Sequence, residues 1–136
     1  MTNAVKAIIL NKDNKILILE QIVHECTFYS LPGGRIQGSA NAIDELKREI
    51  KEETGLGFTS YEYIGHYAFE RDDGSSTNCK TYLIKEYYGE ISSTEKEDYE
   101  LIKFIWMVPS EFVEKYADSE SLKNLIKRLI KKKVLK

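Results

Sequence analysis

Glu45, Glu49, Glu52 and Glu53 crowd into a single short stretch of this chain. Like charges one helical turn apart repel by a few tenths of a kcal/mol per pair, so selection for stability alone disfavours the arrangement. On a helical wheel at about 100° per residue, with Glu45 as origin, Glu49 falls near ~40°, Glu52 near ~340° and Glu53 near ~80°. The four carboxylates share one sector, and that sector borders the apolar side formed by Ile43, Leu46 and Ile50. They therefore belong at the rim of a packed interface, partly desolvated. Carboxylates converging there suit a hard divalent cation. Mg²⁺ takes oxygen ligands and typically bridges protein carboxylates to substrate phosphates. Arg48, four residues before Glu52, is spaced for an ion pair along the helix. The preceding "LPGG", residues 31–34, supplies glycines that let backbone approach a ligand closely. On charge pattern alone, the alternative is a solvated amphipathic helix behind a loop.

The stretch also resembles the signature of the Nudix (MutT-type) hydrolases. That signature is Gly, five residues, Glu, seven residues, then Arg-Glu-aliphatic-any-Glu-Glu-any-Gly-aliphatic. Gly34, Arg48, Glu49, Ile50, Glu52, Glu53, Gly55 and Leu56 fall in register. "LPGG" is the family's usual lead-in. One position departs, since Ala40 stands where the first glutamate belongs, and Gln37 replaces a residue often acidic in relatives. The resemblance implies an α/β (α+β) fold, an α/β/α sandwich with a mixed central sheet and a loop-helix-loop, spanning 1–136 as a single domain. It implies Mg²⁺- or Mn²⁺-dependent hydrolysis of a nucleoside diphosphate linked to another group. Glu49, Glu52 and Glu53 would be metal ligands, Gly34 would lend its backbone carbonyl, Gly33 would help shape that loop, and Arg48 would orient a glutamate. Ala40 bears on metal stoichiometry or rate, and it opens a second reading, a nucleotide-binding module that kept the fold and lost turnover. Glu45, on the same side of the wheel, is expected to replace part of the missing carboxylate.

The base and the substrate side are drawn from outside this stretch. The acidic loop "SSTEKEDYE" offers Glu95, Glu97, Asp98 and Glu100. Glu100 stands six residues before Trp106, a spacing at which some Nudix relatives place a metal- or water-binding glutamate. Tyr67, Phe69 and Tyr82 lie on expected strands, where alternate side chains line a cleft and stack on a base, although core packing is the commoner use of such rings. Arg71 and Lys80 are candidates to meet phosphates, with surface charge as the alternative. Tyr29 is expected to pack. No proline stands between Gly55 and Pro109, which argues against the ADP-ribose type of relative. The basic end, "KNLIKRLIKKKVLK", reads as a solvated helix face with a frayed terminus. It leaves room for an RNA 5′ end as substrate.

These residues need a scaffold, and the rest of the chain describes one. "AVKAIILN" and "KILILEQ" are β-branched and apolar, with "KDN" between them, and read as a hairpin. "TFYSLPGGRI" reads as extended up to Pro32. Asn41 is placed to cap a helix over 42–54, with Gly55 as its left-handed stop. "YEYIGHYAFER", "KTYLIKEYYGEI" and "LIKFIWMV" read as strands, with "DDGSSTN" a turn. "PSEFVEKYA" and "SESLKNLIKRLIKK" read as helices, the second with Leu122, Leu125, Ile126 and Leu129 at helical spacing. With 136 residues, 42% hydrophobic and 31% charged, the chain is the size of one ordinary domain with a real core. Its net charge of −2 argues against a general electrostatic nucleic-acid binder. Cys26 and Cys79 lack zinc-site spacing and, with only His24 and His66 for company, read as reduced thiols. No basic region precedes the apolar start and no apolar run is long enough to span a bilayer, so a cytoplasmic, membrane-free location is expected. Monomer and homodimer are both compatible with this pattern.

Overall fold

The computed structural model describes residues 2–23, 25–37, 41–70, 73–92 and 100–136, and for Val23, Glu100 and Leu101 the backbone only. Among the described residues seven strands and three helices follow in the order β1 Thr2–Ile9, β2 Ile16–Val23, β3 Cys26–Ser30, β4 Gly33–Arg35, α1 Ala42–Thr54, β5 Glu62–Glu70, β6 Ser76–Ile84, β7 Glu100–Met107, α2 Pro109–Glu111 and α3 Glu120–Lys131. α2 runs on as a π-helical turn over Phe112–Tyr116.

The expected hairpin is replaced by a split. The turn is there: Asn11 Oδ1 accepts from the N–H groups of Asp13 and Lys15, and Leu10 bridges Ile16. Beyond it β1 and β2 part into different sheets. β1 sits between β4 and β6 in a mixed sheet of order β4-β1-β6-β5, and β2 sits between β3 and β7 in an antiparallel sheet. The reason is two-sided burial. Ala4 and Ile8 of β1, with Ile16 and Ile18 of β2, enter one core; Val5, Ala7, Ile9 and Leu17 enter the other. Strands apolar on both faces need layers on both faces and neighbours on both edges. α1 covers one side through Leu46 and Ile50, both 0% exposed. α2 and α3 cover the other through Phe112, Leu122, Leu125, Ile126 and Leu129. The result is helix, sheets, helix.

β6 ends at Ile84, earlier than expected, because the chain then turns to the end of α1. Gly57 and Tyr88 exchange backbone hydrogen bonds, and the Ser92 N–H bonds the Thr54 carbonyl at 2.6 Å. A Cβ on Gly57 would lie 2.5 Å from the Tyr88 ring, so glycine is what lets that segment close.

The C-terminus also departs from expectation. Lys133 adopts φ 63°, and the N–H groups of Val134 and Leu135 return to the Leu129 carbonyl. This carries Leu135 back into the core at 1% exposure. Leu135 is thus a core anchor, not part of a frayed end. No described helix is long and apolar enough to cross a membrane.

Candidate active site

α1 is fixed at both ends before any glutamate is placed. Asn41 Oδ1 accepts from the N–H groups of Ile43 and Asp44 at 2.9 and 3.2 Å, satisfying donors that a helix start leaves open. Gly55, at φ 84°, stops the helix and donates to the Lys51 carbonyl. Thr54, fully buried, donates its hydroxyl to the Ile50 carbonyl and accepts from Leu56 N–H. A 13-residue helix is marginal alone, so packing holds it. Burying Leu46 and Ile50 contributes roughly 1.5–3 kcal/mol each.

That packing leaves Glu45, Glu49, Glu52 and Glu53 half-buried along the rim, as the wheel predicts. Arg48 does more than pair with Glu52. Its Nη2 donates to Glu45 at 2.7 Å and to Glu49 at 3.0 Å, and its Nη1 donates to both oxygens of Glu52 at 3.1 and 3.0 Å. One guanidinium thus gathers three carboxylates, a geometry its fan of donors allows. Glu53 points elsewhere: its Oε1 accepts the Gly33 N–H at 2.8 Å. Gly34 lies against Glu49, so closely that a Cβ there would sit 2.5 Å from Glu49 Cδ. The glycine loop and the helix therefore meet through the carboxylates themselves.

Electrostatics sets Glu53 apart. Burial raises its pKa to about 7, against the lowering effects of the Gly33 hydrogen bond and the Lys6 ammonium. Burial also raises that of Glu49, opposed chiefly by Arg48. In both, burial outweighs the nearby positive charge. Among the described residues no three carboxylate, imidazole or thiolate groups stand at metal-ligating spacing. The donor set still fits a hard cation: oxygen only, partly desolvated, with backbone brought close at Gly34. Glu49, Glu52, Glu53 and the Gly34 carbonyl are the groups that could hold one.

A cleft of about 310 Å³ opens beside this rim. Lys6, Tyr29, Leu31, Gly34, Arg35, Tyr67, Phe69, Cys79 and Asp118 are among its walls, and Gly34 belongs to both cleft and rim. Tyr29 packs against Tyr116 with the rings tilted and their centroids 4.6 Å apart. Tyr67 is buried and hydrogen-bonded to Cys79, and burial holds both groups above their usual pKa. Phe69 is 44% exposed, a ring left open to a ligand.

The expected substrate residues therefore divide. Tyr67 and Phe69 line the cleft. Tyr82 does not: it lies on the opposite sheet face from Cys79, packed towards the α1 core and edge-on to Tyr61 and Tyr63. The period-two alternation of β6 puts residues 79 and 82 on different faces. Arg71 and Ala40 lie outside the described residues, as do Glu95, Glu97 and Asp98. Glu100 opens β7, its backbone paired with Val23. Sequence reasoning missed Lys6, Arg35 and Asp118. For Lys6 a signal existed, a charge amid the apolar alternation of β1. Asp118 gave none, because only the tertiary fold brings the start of α3 to β1.

The NUDIX domain family profile matches residues 1–129. The 8-oxo-dGDP phosphatase NUDT18 of Mus musculus is 37% identical over 54 residues, 38% of this chain and 16% of that protein. The chain thus spans about a sixth of that relative's length. The CTP pyrophosphohydrolase of Escherichia coli (strain K12) is 23% identical over 109 residues, 79% of this chain and 76% of its own. In structure, the E. coli ORF135 protein superposes with a TM-score of 0.77 at 21% identity, over 98% of this chain and 91% of that one, a likeness of fold. With the family profile running along nearly the whole chain and the rim of α1 carrying its residues in register, the chain belongs to the Nudix family.

Proposed function

We propose that this chain, a single domain, is a divalent-metal-dependent hydrolase that cleaves a pyrophosphate bond in a nucleoside diphosphate linked to another group. The observation that carries the reading is the meeting of two features at Gly34. Desolvated Glu49 and Glu53 face the glycine loop on one side, and an aromatic-walled cleft sized for a nucleoside opens on the other. In this reading Glu49, Glu52 and Glu53 hold Mg²⁺ or Mn²⁺ with help from the Gly34 carbonyl. The bound ion supplies charge stabilisation for phosphate oxygens and lowers the pKa of bound water.

The chain's own residues do the rest. Arg48 pairs with Glu45, Glu49 and Glu52 and so gathers the three carboxylates on one side of the helix. The Gly33 N–H keeps Glu53 aimed at the rim. Tyr67 and Phe69 wall the space for a base. Glu100 is the proposed base, taking a proton from the attacking water.

The test is a panel containing 8-oxo-dGDP, CTP, other nucleoside di- and triphosphates, nucleotide sugars and a triphosphorylated RNA oligomer, each with Mg²⁺ or Mn²⁺ and with chelator. Metal-dependent release of a nucleoside monophosphate, or of a monophosphorylated RNA end, supports the reading. Tight nucleotide binding with no product from any member supports the non-catalytic module instead.

A further inference from the structure

Lys6 sits where packing alone would place an apolar residue. The alternation of β1 sends Ala4, Lys6 and Ile8 to one face. Ala4 and Ile8 are buried, at 3% and 0% exposure. Lys6 lies between them, half-buried, with strands on both sides: it pairs with Gly33 of β4 and with Thr81 of β6. An ammonium carries three donors. Among the described residues its hydrogen-bond acceptor is the Leu31 carbonyl, at 3.3 Å. The ammonium acts electrostatically on Glu53 and on the Cys79 thiol, yet its hydrogen bond goes to a neutral carbonyl, and a cation held in a central strand on the floor of a largely apolar cleft is costly unless anions compensate it.

Its position says which further anion it can take beside Glu53. The Lys6 side chain lines the cleft together with Gly34 and Arg35, and its stem packs on Gly33, the residue whose N–H holds Glu53. The ammonium therefore stands between the aromatic wall at Tyr67 and the carboxylate rim. A nucleotide lying along that line, base toward Tyr67 and Phe69, brings its phosphate to Lys6. We propose that Lys6 is the phosphate anchor of the cleft, donating to a non-bridging oxygen and so setting which phosphorus faces Glu49 and Glu53. This rests on the reading of the chain as a phosphoanhydride hydrolase. An ammonium suits the task as a compact point charge that needs no fixed approach angle.

The test uses Lys6→Met, which keeps the stem and removes the charge, and Lys6→Arg. Inorganic pyrophosphate and a nucleoside monophosphate are titrated into metal-free protein by calorimetry, and kcat and KM are measured on whichever nucleotide the wild type hydrolyses. Charge-assisted hydrogen bonds correspond to about tenfold to a hundredfold in affinity. Lys6→Met is expected to weaken binding of both anions by that factor and to raise KM. Lys6→Arg should recover most of the loss. Equal anion affinity in wild type and Lys6→Met would overturn the proposal, as would a shift in metal half-activation alone, which would make Lys6 a partner of Glu53. A change confined to melting temperature would leave it only its bond to Leu31 and also overturn it. If the wild type hydrolyses nothing, calorimetry still decides: weaker anion binding in Lys6→Met upholds the anchor while the hydrolase reading falls. No anion binding by the wild type removes both.

Discussion

Glu53→Gln should make the metal-free protein more stable at pH 8 while leaving it unchanged near pH 4.5. Burial raises the Glu53 pKa to about 7 from an ordinary 4.5. The folded state thus holds that proton more tightly than the unfolded state. For a carboxyl raised in this way, its contribution is fully present below about pH 4.5, declines as pH rises, and is lost above about pH 7. A gap of about 2.5 units at 1.36 kcal/mol each gives roughly 3 kcal/mol, an upper value because burial falls short of complete. Glutamine imitates the protonated form, and its side-chain carbonyl still accepts the Gly33 N–H. Urea unfolding in chelator from pH 4.5 to 8.5 should therefore show the two proteins diverging through pH 5–7, with the variant ahead by up to ~3 kcal/mol at pH 8. Comparing the two cancels the titration of groups that do not interact with Glu53. Added Mg²⁺ or Mn²⁺ should close the gap by stabilising only the wild type. Parallel curves, or a variant less stable at pH 8, would refute the view of Glu53 as a desolvated carboxylate awaiting a cation.

Other expectations follow from single positions. Gly33→Ala should cost several kcal/mol in chemical denaturation, since φ is +144° and the added Cβ would meet the Val5 carbonyl oxygen at 2.1 Å, a backbone atom that cannot step aside. Gly34→Ala should fold within about 1 kcal/mol of wild type yet lose most activity, because only the flexible end of Glu49 has to move. Lys133→Gly should stabilise by about 1 kcal/mol by relieving a left-handed lysine, read as a higher urea midpoint at constant slope. Glu100→Gln should lower kcat by roughly 10²–10⁴ with little change in KM if it is the base. Near-normal kcat would move that role to Glu49 or Glu52.

Much of the helix was legible because its signals are local. Asn41, Gly55 and the apolar spacing of Leu46 and Ile50 each act within a few residues, and the structure keeps them all. The split of β1 from β2 was not legible, since a short polar turn between two apolar strands reads alike whether they pair or part. What decided it was burial on both faces, a property of the layers around them. Tyr82 shows the same limit: strand membership was readable, but the face depends on register with β1 and β5. Leu135 was hidden because Lys133 turns the chain without the glycine that usually marks such a reversal. At the site, the Arg48–Glu52 pair was visible from spacing, whereas the reach of Arg48 to Glu45 and Glu49 depends on rotamers. The cleft was the least readable part, as its walls come from β1, β3, β4, β5, β6 and the residues around the start of α3.

The most direct measurement is hydrolysis in ¹⁸O-labelled water of the best nucleotide from the panel, with products weighed by mass spectrometry for wild type, Glu52→Gln and Glu53→Gln. The expected result is one ¹⁸O in a phosphate-bearing product, strictly dependent on Mg²⁺ or Mn²⁺, and lost by orders of magnitude in both variants while circular dichroism shows them folded. Label incorporation that persists in chelator, or at wild-type rate in folded Glu53→Gln, would contradict the assignment of metal-assisted pyrophosphate cleavage to this helix.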